Sequence, residues 1–321
     1  MKVCAILVVL GAAMSLLIHA SEADAIVAID GSGQYRSVQE AINASPQNAT
    51  AAKPWTILVK PATYAERVYV QREKRFIRLV GEDAEKTIIS YGLYADMKGP
   101  DEKIIGTFRT PTAQIDADDF TAENVTFENS AGPKGQALAV RIDGDRVVFR
   151  HCRFLGYQDT ILGNRGRHYF DECTIAGAVD FIFGGATEYF EKCQIQCTGS
   201  GFITAASTPE NQRYGFVFSN CKITAEPTVK MYLGRPWRAY ASVIFLNTEL
   251  PAQIRPEGWH NWNDPAREKT ARYAEYNSTG PGAASDKRVG WSKKLTEADA
   301  KTITVQSVLS GTDGYDPAAG K

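Results

Sequence analysis

The segment Gly156-Tyr-Gln-Asp-Thr-Ile-Leu-Gly163 returns 21 residues later as Gly177-Ala-Val-Asp-Phe-Ile-Phe-Gly184. Each copy holds one aspartate, Asp159 in the first and Asp180 in the second. A fixed period of this length is typical of one supersecondary unit stacked on the next. The two segments therefore predict a repeat architecture in which Asp159 and Asp180 occupy equivalent positions.

The repeat extends upstream of the aspartates, where a cysteine marks one position of each copy. The aligned segments are Val148-Phe-Arg-His-Cys152, Tyr169-Phe-Asp-Glu-Cys173, Tyr189-Phe-Glu-Lys-Cys193 and, more loosely, Phe216-Val-Phe-Ser-Asn-Cys221. Asn124 and Asn247 stand in similar contexts before and after this run. The repeat therefore covers most of the middle of the chain.

Each copy consists of short runs of Val, Ile, Phe, Tyr and Thr, interrupted by Gly and Asn, without a sustained helical period. This pattern predicts an all-β fold, a parallel β-helix or solenoid. In such a stack, equivalent residues lie at the spacing of neighbouring strands, roughly 4.8 Å. We therefore expect the carboxylates of Asp159 and Asp180 to lie about 5 Å apart on one face.

The two ends of the solenoid carry helix signals. Ser37 and Glu40 have the spacing of a capping box, which predicts a short helix that covers the first coil. Near the other end, Leu295 to Lys301 is typical of a capped helix start in a tail rich in loops. The polar segment from Asp96 to Arg109 is expected to loop out, and residues 24–321 are expected to form a single domain.

The N-terminus has the layout of a secretory signal peptide. An apolar stretch from Val3 to Ile18 follows Lys2, and small residues come next. We assign residues 1–23 to the signal, with cleavage after Ala20, Ala23 or Ala25. The protein is therefore expected to be secreted, either to the extracellular space or, in a Gram-negative bacterium, to the periplasm.

Charge and cysteine content narrow the classes of partner. The 321 residues carry a net charge of −1 without a basic run, which argues against nucleic acid and anionic membrane as partners of the mature monomer. Five cysteines remain once Cys4 is removed with the signal. Their spacing favours a packed interior ladder over a zinc site. The sequence does not decide whether disulfides form, for example between Cys173 and Cys193 or between Cys193 and Cys197.

Two stacked carboxylates are suited to acid/base chemistry, because they cannot both ionise cheaply and one pKa is driven up. A solvated ladder of turn aspartates is the alternative. Apolar runs follow both aspartates, which favours a rigid wall. A serine hydrolase is excluded by the lack of Gly-x-Ser-x-Gly. The histidines His151, His168 and His260 are interpreted as structural.

Side chains that could assist the aspartates occur nearby in the repeat. Gln158 precedes Asp159, and Gln136 lies about one coil earlier; neutral amide donors of this kind suit a developing oxyanion. In Leu233-Gly-Arg-Pro-Trp237, the guanidinium of Arg235 could hold one carboxylate ionised, and the indole of Trp237 offers a flat face to a sugar.

Four segments together resemble a known family. Gly135-Gln-Ala-Leu-Ala, Gly156-Tyr-Gln-Asp-Thr, Val179-Asp-Phe-Ile-Phe-Gly184 and Leu233-Gly-Arg-Pro-Trp237 are similar, in order and wording, to signature segments of the pectin methylesterases (pectinesterases). The resemblance implies a right-handed parallel β-helix that hydrolyses the methyl esters of galacturonate units in pectin. It implies methanol and pectate as products, and neither a metal nor another cofactor.

The resemblance also implies a role for each matching residue. Asp180 is similar to the nucleophile and Asp159 to the general acid and base. Gln136 and Gln158 resemble the oxyanion donors, and Arg235 resembles the partner of Asp180. The residues expected to line the substrate groove are Trp237, Tyr157, Phe183 and Trp259. A glycoside hydrolase on the same architecture and a non-catalytic pectin-binding solenoid remain the two alternatives.

Overall fold

The computed structural model describes residues 23–283 and 286–319. The predicted signal segment therefore lies outside the described residues, apart from Ala23. In the described part of the chain, no helix has the length and apolar character needed to cross a bilayer.

Parallel strands wind into a β-helix with three faces, which confirms the predicted fold class. The first face is one parallel sheet. Its strands are β1 (Ala25–Val27), β2 (Trp55–Val59), β5 (Ile77–Gly81), β8 (Thr121–Glu123), β11 (Val147–Arg150), β14 (Arg167–Asp171), β16 (Thr187–Glu191), β18 (Phe216–Ser219), β21 (Ser242–Leu246), β22 (Arg272–Tyr276) and β23 (Lys293–Lys294).

The second and third faces share two long strands, β15 (Thr174–Gly184) and β17 (Gln194–Ala206). The first halves of these strands belong to the second face and the last parts to the third. The other strands of the second face are β3 (Ala62–Tyr64), β6 (Thr87–Tyr91), β9 (Thr126–Asn129), β12 (Arg153–Leu155) and β19 (Lys222–Ala225). Those of the third face are β4 (Val68–Val70), β7 (Ala113–Ile115), β10 (Val140–Ile142), β13 (Ile161–Gly163) and β20 (Met231–Gly234).

A two-residue bend joins the first face to the second in successive coils, and it explains the repeated cysteine. The first bend residue has a left-handed backbone conformation, as at His151 (φ 51°), Glu172 (φ 52°) and Lys192 (φ 52°). The second residue points into the core, as do the fully buried Cys152 and Cys173. The left-handed conformation turns the chain sharply, so these coils all bend at the same place.

The core is built from ladders of identical side chains. Phe170, Phe190, Phe218 and Phe245 stack with ring centroids 4.5, 4.4 and 4.5 Å apart. The described cysteines are buried free thiols, and the thiol of Cys193 donates to the carbonyl of Phe170 at 3.5 Å. The interior cysteine ladder is therefore confirmed, and each thiol is one member of a continuous apolar column.

Helices cover the first coil and one side of the solenoid. Helix α1 (Val38–Ala44) begins at Ser37, whose hydroxyl accepts the Glu40 N–H, and packs on β1 and β2. In the tail, α2 (Glu297–Lys301) has the capping box of Thr296 and Asp299. A second tail helix, α3 (Val305–Leu309), packs on β16. Short 3₁₀ turns occur at Thr107–Arg109, Pro265–Lys269 and Pro281–Ala283.

Candidate active site

A cleft of about 270 Å³ lies over the middle of the third face and contains both predicted aspartates. Its floor is an apolar ladder, because Leu162, Phe183 and Ala205 are register partners on β13, β15 and β17. Leu138 extends this buried cluster by one coil, and Trp237 packs against it. The stacked strands therefore give the cleft a rigid base.

Asp159 and Asp180 leave this base at equivalent positions of adjacent coils. Asp159 lies just before β13 and Asp180 within β15, and the pairing of Ile161 with Ile182 keeps the 21-residue offset. Both aspartates are left-handed, with φ 62° and 50°. The register of β15 against β17 is interrupted between Val179 and Ile182. Such irregularities re-aim side chains, and both carboxylates face the cleft.

Arg235 binds Asp180 through two parallel hydrogen bonds. Its Nε donates to Oδ1 at 2.9 Å and its Nη2 to Oδ2 at 2.6 Å. The side chain of Asp180 is 8% exposed and that of Arg235 is 20% exposed. A bidentate, charge-assisted pair of this kind fixes the carboxylate in one orientation.

The two carboxyl groups differ in their electrostatic surroundings. Burial, and secondly the negative charge of Asp180, raise the pKa of Asp159 to about 8. Burial also raises the pKa of Asp180, but the hydrogen bonds and charge of Arg235 act in the opposite direction. Near neutral pH, the favoured state is therefore an ionised Asp180 beside a protonated Asp159.

Gln136 and Gln158 stack on adjacent coils at the edge of the same cleft. Gln158 forms bridges with both Gln136 and Val179, and the side chains of both glutamines line the cleft. Their amide groups are neutral donors on the side of the cleft that holds Asp159. Both glutamines therefore lie at one edge of the cleft, and their role as oxyanion donors stays a prediction.

Aromatic side chains form the cleft walls, and two of them were missed by the sequence analysis. Trp237 and Phe183 line the cleft as predicted, with ring centroids 5.8 Å apart. Trp262 also lines the cleft, as does Phe108 from the loop on the other side. Phe108 is 49% exposed, so much of its ring is free to contact a ligand in the cleft.

One predicted groove residue, Trp259, lies elsewhere, and its placement corrects the prediction. Trp259 is 1% exposed and packs in the core against Tyr273, with ring centroids 4.4 Å apart. It points inward because it continues the third face, where it pairs with Gly234. Tyr157 is partly exposed beside Gln158, and its hydroxyl lies so close to Gly199 that a Cβ built there would be 2.7 Å away. It does not line the cleft itself, and its place in a longer substrate groove stays a prediction.

Other polar groups of the described chain are placed away from this chemistry. His168 is buried and its Nδ1 lies 2.9 Å from Glu188 Oε1, which agrees with a structural role. A larger cavity of about 600 Å³ lies by the last coil; there Arg288 is paired with Glu275 at 2.7 Å. Within residues 23–283 and 286–319, no His, Cys, Asp or Glu side chains are grouped to hold a metal ion.

Comparison with known proteins identifies the family of this site. The Pectinesterase family model matches residues 24–312. Pectinesterase 31 of Arabidopsis thaliana is 42% identical over 281 residues, which are 85% of this chain and 88% of that protein. Putative pectinesterase 11 of the same plant is 36% identical over 291 residues, 90% and 79% of the two chains.

Solved structures show the same architecture. Pectin methylesterase from carrot superposes with a TM-score of 0.85 at 33% identity, covering 91% of this chain and 94% of the carrot protein. Pectin methylesterase PemA from Erwinia chrysanthemi superposes with a TM-score of 0.79 at 29% identity, covering 92% of this chain and 98% of PemA. A D178A mutant of a pectin methylesterase, solved with a hexasaccharide, also gives 0.79 at 29% identity, with 92% and 99% covered. The chain therefore belongs to the pectinesterase family of carboxylic ester hydrolases.

Proposed function

We propose that this protein hydrolyses the methyl esters of galacturonate units in pectin, with Asp180 as nucleophile and Asp159 as general acid and base. The observation that carries the proposal is the asymmetry of the pair. Arg235 binds Asp180 through two hydrogen bonds, while the pKa of Asp159 is raised to about 8. One carboxylate suited to attack thus lies beside one carboxyl group suited to donate a proton.

In the first half of the reaction, the Asp180 carboxylate attacks the ester carbonyl carbon and forms a tetrahedral intermediate. The amide N–H groups of Gln136 and Gln158 donate to the oxygen that becomes negative. Collapse of the intermediate breaks the bond to the methoxy oxygen, and Asp159 gives that oxygen its proton. Methanol leaves, and the galacturonyl group remains on Asp180 as an anhydride.

In the second half, Asp159 is ionised and accepts a proton from a water molecule. The resulting hydroxide attacks the anhydride carbonyl, and the bond to Asp180 breaks. The pectate carboxyl group leaves, Asp180 is again a carboxylate paired with Arg235, and Asp159 again holds its proton. The cycle is balanced in protons and needs no other reactant besides water.

The cleft walls suit a chain of sugars. Trp237, Trp262 and Phe183 present aromatic faces around the two aspartates, and such faces pack well on the apolar side of a sugar ring. Phe108 offers a further face from the opposite wall.

Incubation with methylated pectin tests this function. We expect methanol release without new reducing ends, and we expect Asp180→Ala to abolish the release while keeping the thermal unfolding midpoint of the wild type. New reducing ends with unchanged ester content would instead indicate a glycoside hydrolase. Wild-type protein that binds pectin and releases no methanol would indicate a binding module.

We also propose secretion through the N-terminal signal, with cleavage after Ala20 or Ala23. Support comes from the start of the fold: Ala25 is fully buried in β1, and the Asp24 carboxylate accepts the Thr56 N–H at 2.9 Å. Cleavage after Ala25 would remove both residues. Intact-mass analysis of the exported protein tests the proposal, and a mature chain that begins at Ile26 would contradict it.

A further inference from the structure

The guanidinium of Arg235 is covered by two aromatic rings. Its Cζ lies 3.9 Å from the ring centroid of Phe202 and 3.8 Å from that of Trp262. Two rings cannot occupy the same side of a planar group at these distances, so the guanidinium lies between them. Its faces are covered, and its edge is directed at Asp180 through Nε and Nη2.

Each ring is itself held by neighbours. Phe202 stacks on Tyr232 with centroids 5.3 Å apart and planes 9° from parallel. His260 packs edge-on against Phe202 at 5.5 Å, and its Nδ1 accepts the backbone N–H of Trp262 at 3.0 Å. Trp262 is left-handed, with φ 62°. The His260 imidazole therefore contacts both residues whose rings cover Arg235, Phe202 through its ring and Trp262 through the backbone.

We propose that Phe202 and Trp262 are positioning residues that hold the Arg235 guanidinium edge-on to Asp180. The proposal rests on the function proposed above and concerns the same site. An arginine side chain has many rotamers, and it binds any carboxylate bidentately. Both the substrate polymer and its product carry carboxylates, so an unclamped Arg235 has competing partners in the cleft. Contacts on both faces remove most of its alternative orientations.

Phe202 is the cleaner residue to test, because Trp262 lines the cleft and Phe202 does not. Phe202 lies on β17, where it pairs with Val179 and Tyr232. Phe202→Leu removes the ring and keeps an apolar side chain. Phe202→Tyr keeps the ring and is the matched control.

We expect Phe202→Leu to lower kcat about tenfold, the scale of one partly buried cation–π contact, with KM changed less than about twofold. Arg235 lowers the pKa of Asp180, so a loosened Arg235 moves the acid limb of the rate profile to higher pH. Phe202→Tyr should keep kcat within about twofold and leave the limb in place, because the ring contact is retained.

A double-mutant cycle with Arg235→Lys decides whether Phe202 acts through Arg235. Lysine has no planar group for a ring to cover, so Phe202→Leu should lower kcat less than about twofold when it is combined with Arg235→Lys. The same tenfold loss in both backgrounds, or an unmoved acid limb, would overturn the proposal. If Phe202→Leu lowers the unfolding midpoint below assay temperature, Phe202→Met serves in its place.

A second readout needs no pectin. The carboxyl carbon of Asp180, assigned by its loss in Asp180→Asn, can be titrated by ¹³C NMR in the wild type and in Phe202→Leu. If Phe202 positions Arg235, the pKa of Asp180 should be higher in Phe202→Leu than in the wild type, and equal pKa values in the two proteins contradict the proposal. This titration does not depend on turnover. A negative result for the positioning role of Phe202 can therefore be told apart from a wild-type protein that releases no methanol.

Discussion

Asp159 and Asp180 share one left-handed backbone conformation on adjacent coils, with φ 62° and 50°, and the guanidinium of Arg235 binds Asp180. The strand stack thus supplies two equivalent carboxyl groups, and one residue from a later coil makes them different. Arg235 favours the ionised form of Asp180, while Asp159 keeps its proton up to a higher pH. The proposed division of labour depends on this difference.

The first prediction concerns the pH dependence of kcat/KM. The rate should rise with pH as Asp180 ionises and fall above about 8, where Asp159 loses its proton. Initial rates of methanol release from a methylated oligogalacturonate, measured from acid to alkaline pH, give both limbs. A rate that stays constant well above the alkaline limb would argue against Asp159 as the acid.

The second prediction concerns stability. The pKa of Asp159 is 3.8 in the unfolded chain and about 8 in the folded one. Between these pH values the folded state holds a proton that the unfolded state has released, so the free energy of unfolding falls as the pH rises. Asp159→Asn removes this loss. The variant should gain stability over the wild type as the pH rises, at about 1.4 kcal/mol for each pH unit crossed between the two pKa values.

Urea unfolding of the wild type and of Asp159→Asn at pH 4 and at pH 9 measures this difference in stability. The two proteins share every other titratable side chain, so the contributions of those groups largely cancel. The difference between the two proteins should be smallest at pH 4, because the folded Asp159 is protonated there and the unfolded one, with a pKa of 3.8, is only about half ionised. An equal stability difference at both pH values would contradict the raised pKa.

The third prediction concerns the amide donors. Gln136→Ala or Gln158→Ala should each lower kcat by about 10²–10³-fold, because each removes one donor to the oxyanion. KM should change far less, since the donors act mainly in the transition state. A loss below tenfold, with an unchanged fold, would return that glutamine to a structural role.

The fourth prediction separates two tryptophans three positions apart. Trp259→Ala should destabilise the protein by about 3–5 kcal/mol, because it opens a cavity in the core. Trp262→Ala should cost little stability but weaken both substrate binding and the hold on Arg235. Unfolding midpoints and Michaelis kinetics of the two variants provide the comparison, and each variant is the control for the other.

The fifth prediction concerns the fully buried pair of His168 and Glu188. His168→Ala leaves the Glu188 carboxyl group without its partner and should cost about 3–5 kcal/mol. Glu188→Gln retains an acceptor for the imidazole and should cost only about 1 kcal/mol. Equal costs for the two variants, measured by urea unfolding, would show that the pairing itself contributes little.

The repeat made most of the fold predictable, because residues that recur in the sequence also stack in space. Asp159, Asp180 and the cysteine ladder were placed correctly for this reason. The left-handed bend was not predicted. Asparagine, which tolerates this conformation, occupies it in other coils, at Asn124, Asn220, Asn247 and Asn277, and was the available signal. His151, Glu172 and Lys192 at the same position share no side-chain property that marks it.

The walls of the site were harder to predict than its floor. Trp259 and Trp262 stand in a loop-rich region without a period, so the sequence does not say which one faces inward. The bridge of Trp259 to Gly234 decides this, and it forms only in the folded stack. Likewise, Phe202 and Arg235 lie on different coils, and their contact depends on how the loop after β20 folds back.

The two-residue bend that joins the first and second faces in each coil from β8 to β19 has a consequence for engineering. Between β8 and β19, coils differ in length in the connections that flank the third face, such as the segment after β17. Chain inserted there leaves the order of the stack unchanged. Segments of different length could thus be transplanted between relatives to alter which methylation pattern is recognised, while the scaffold and the proposed catalytic centre stay as they are.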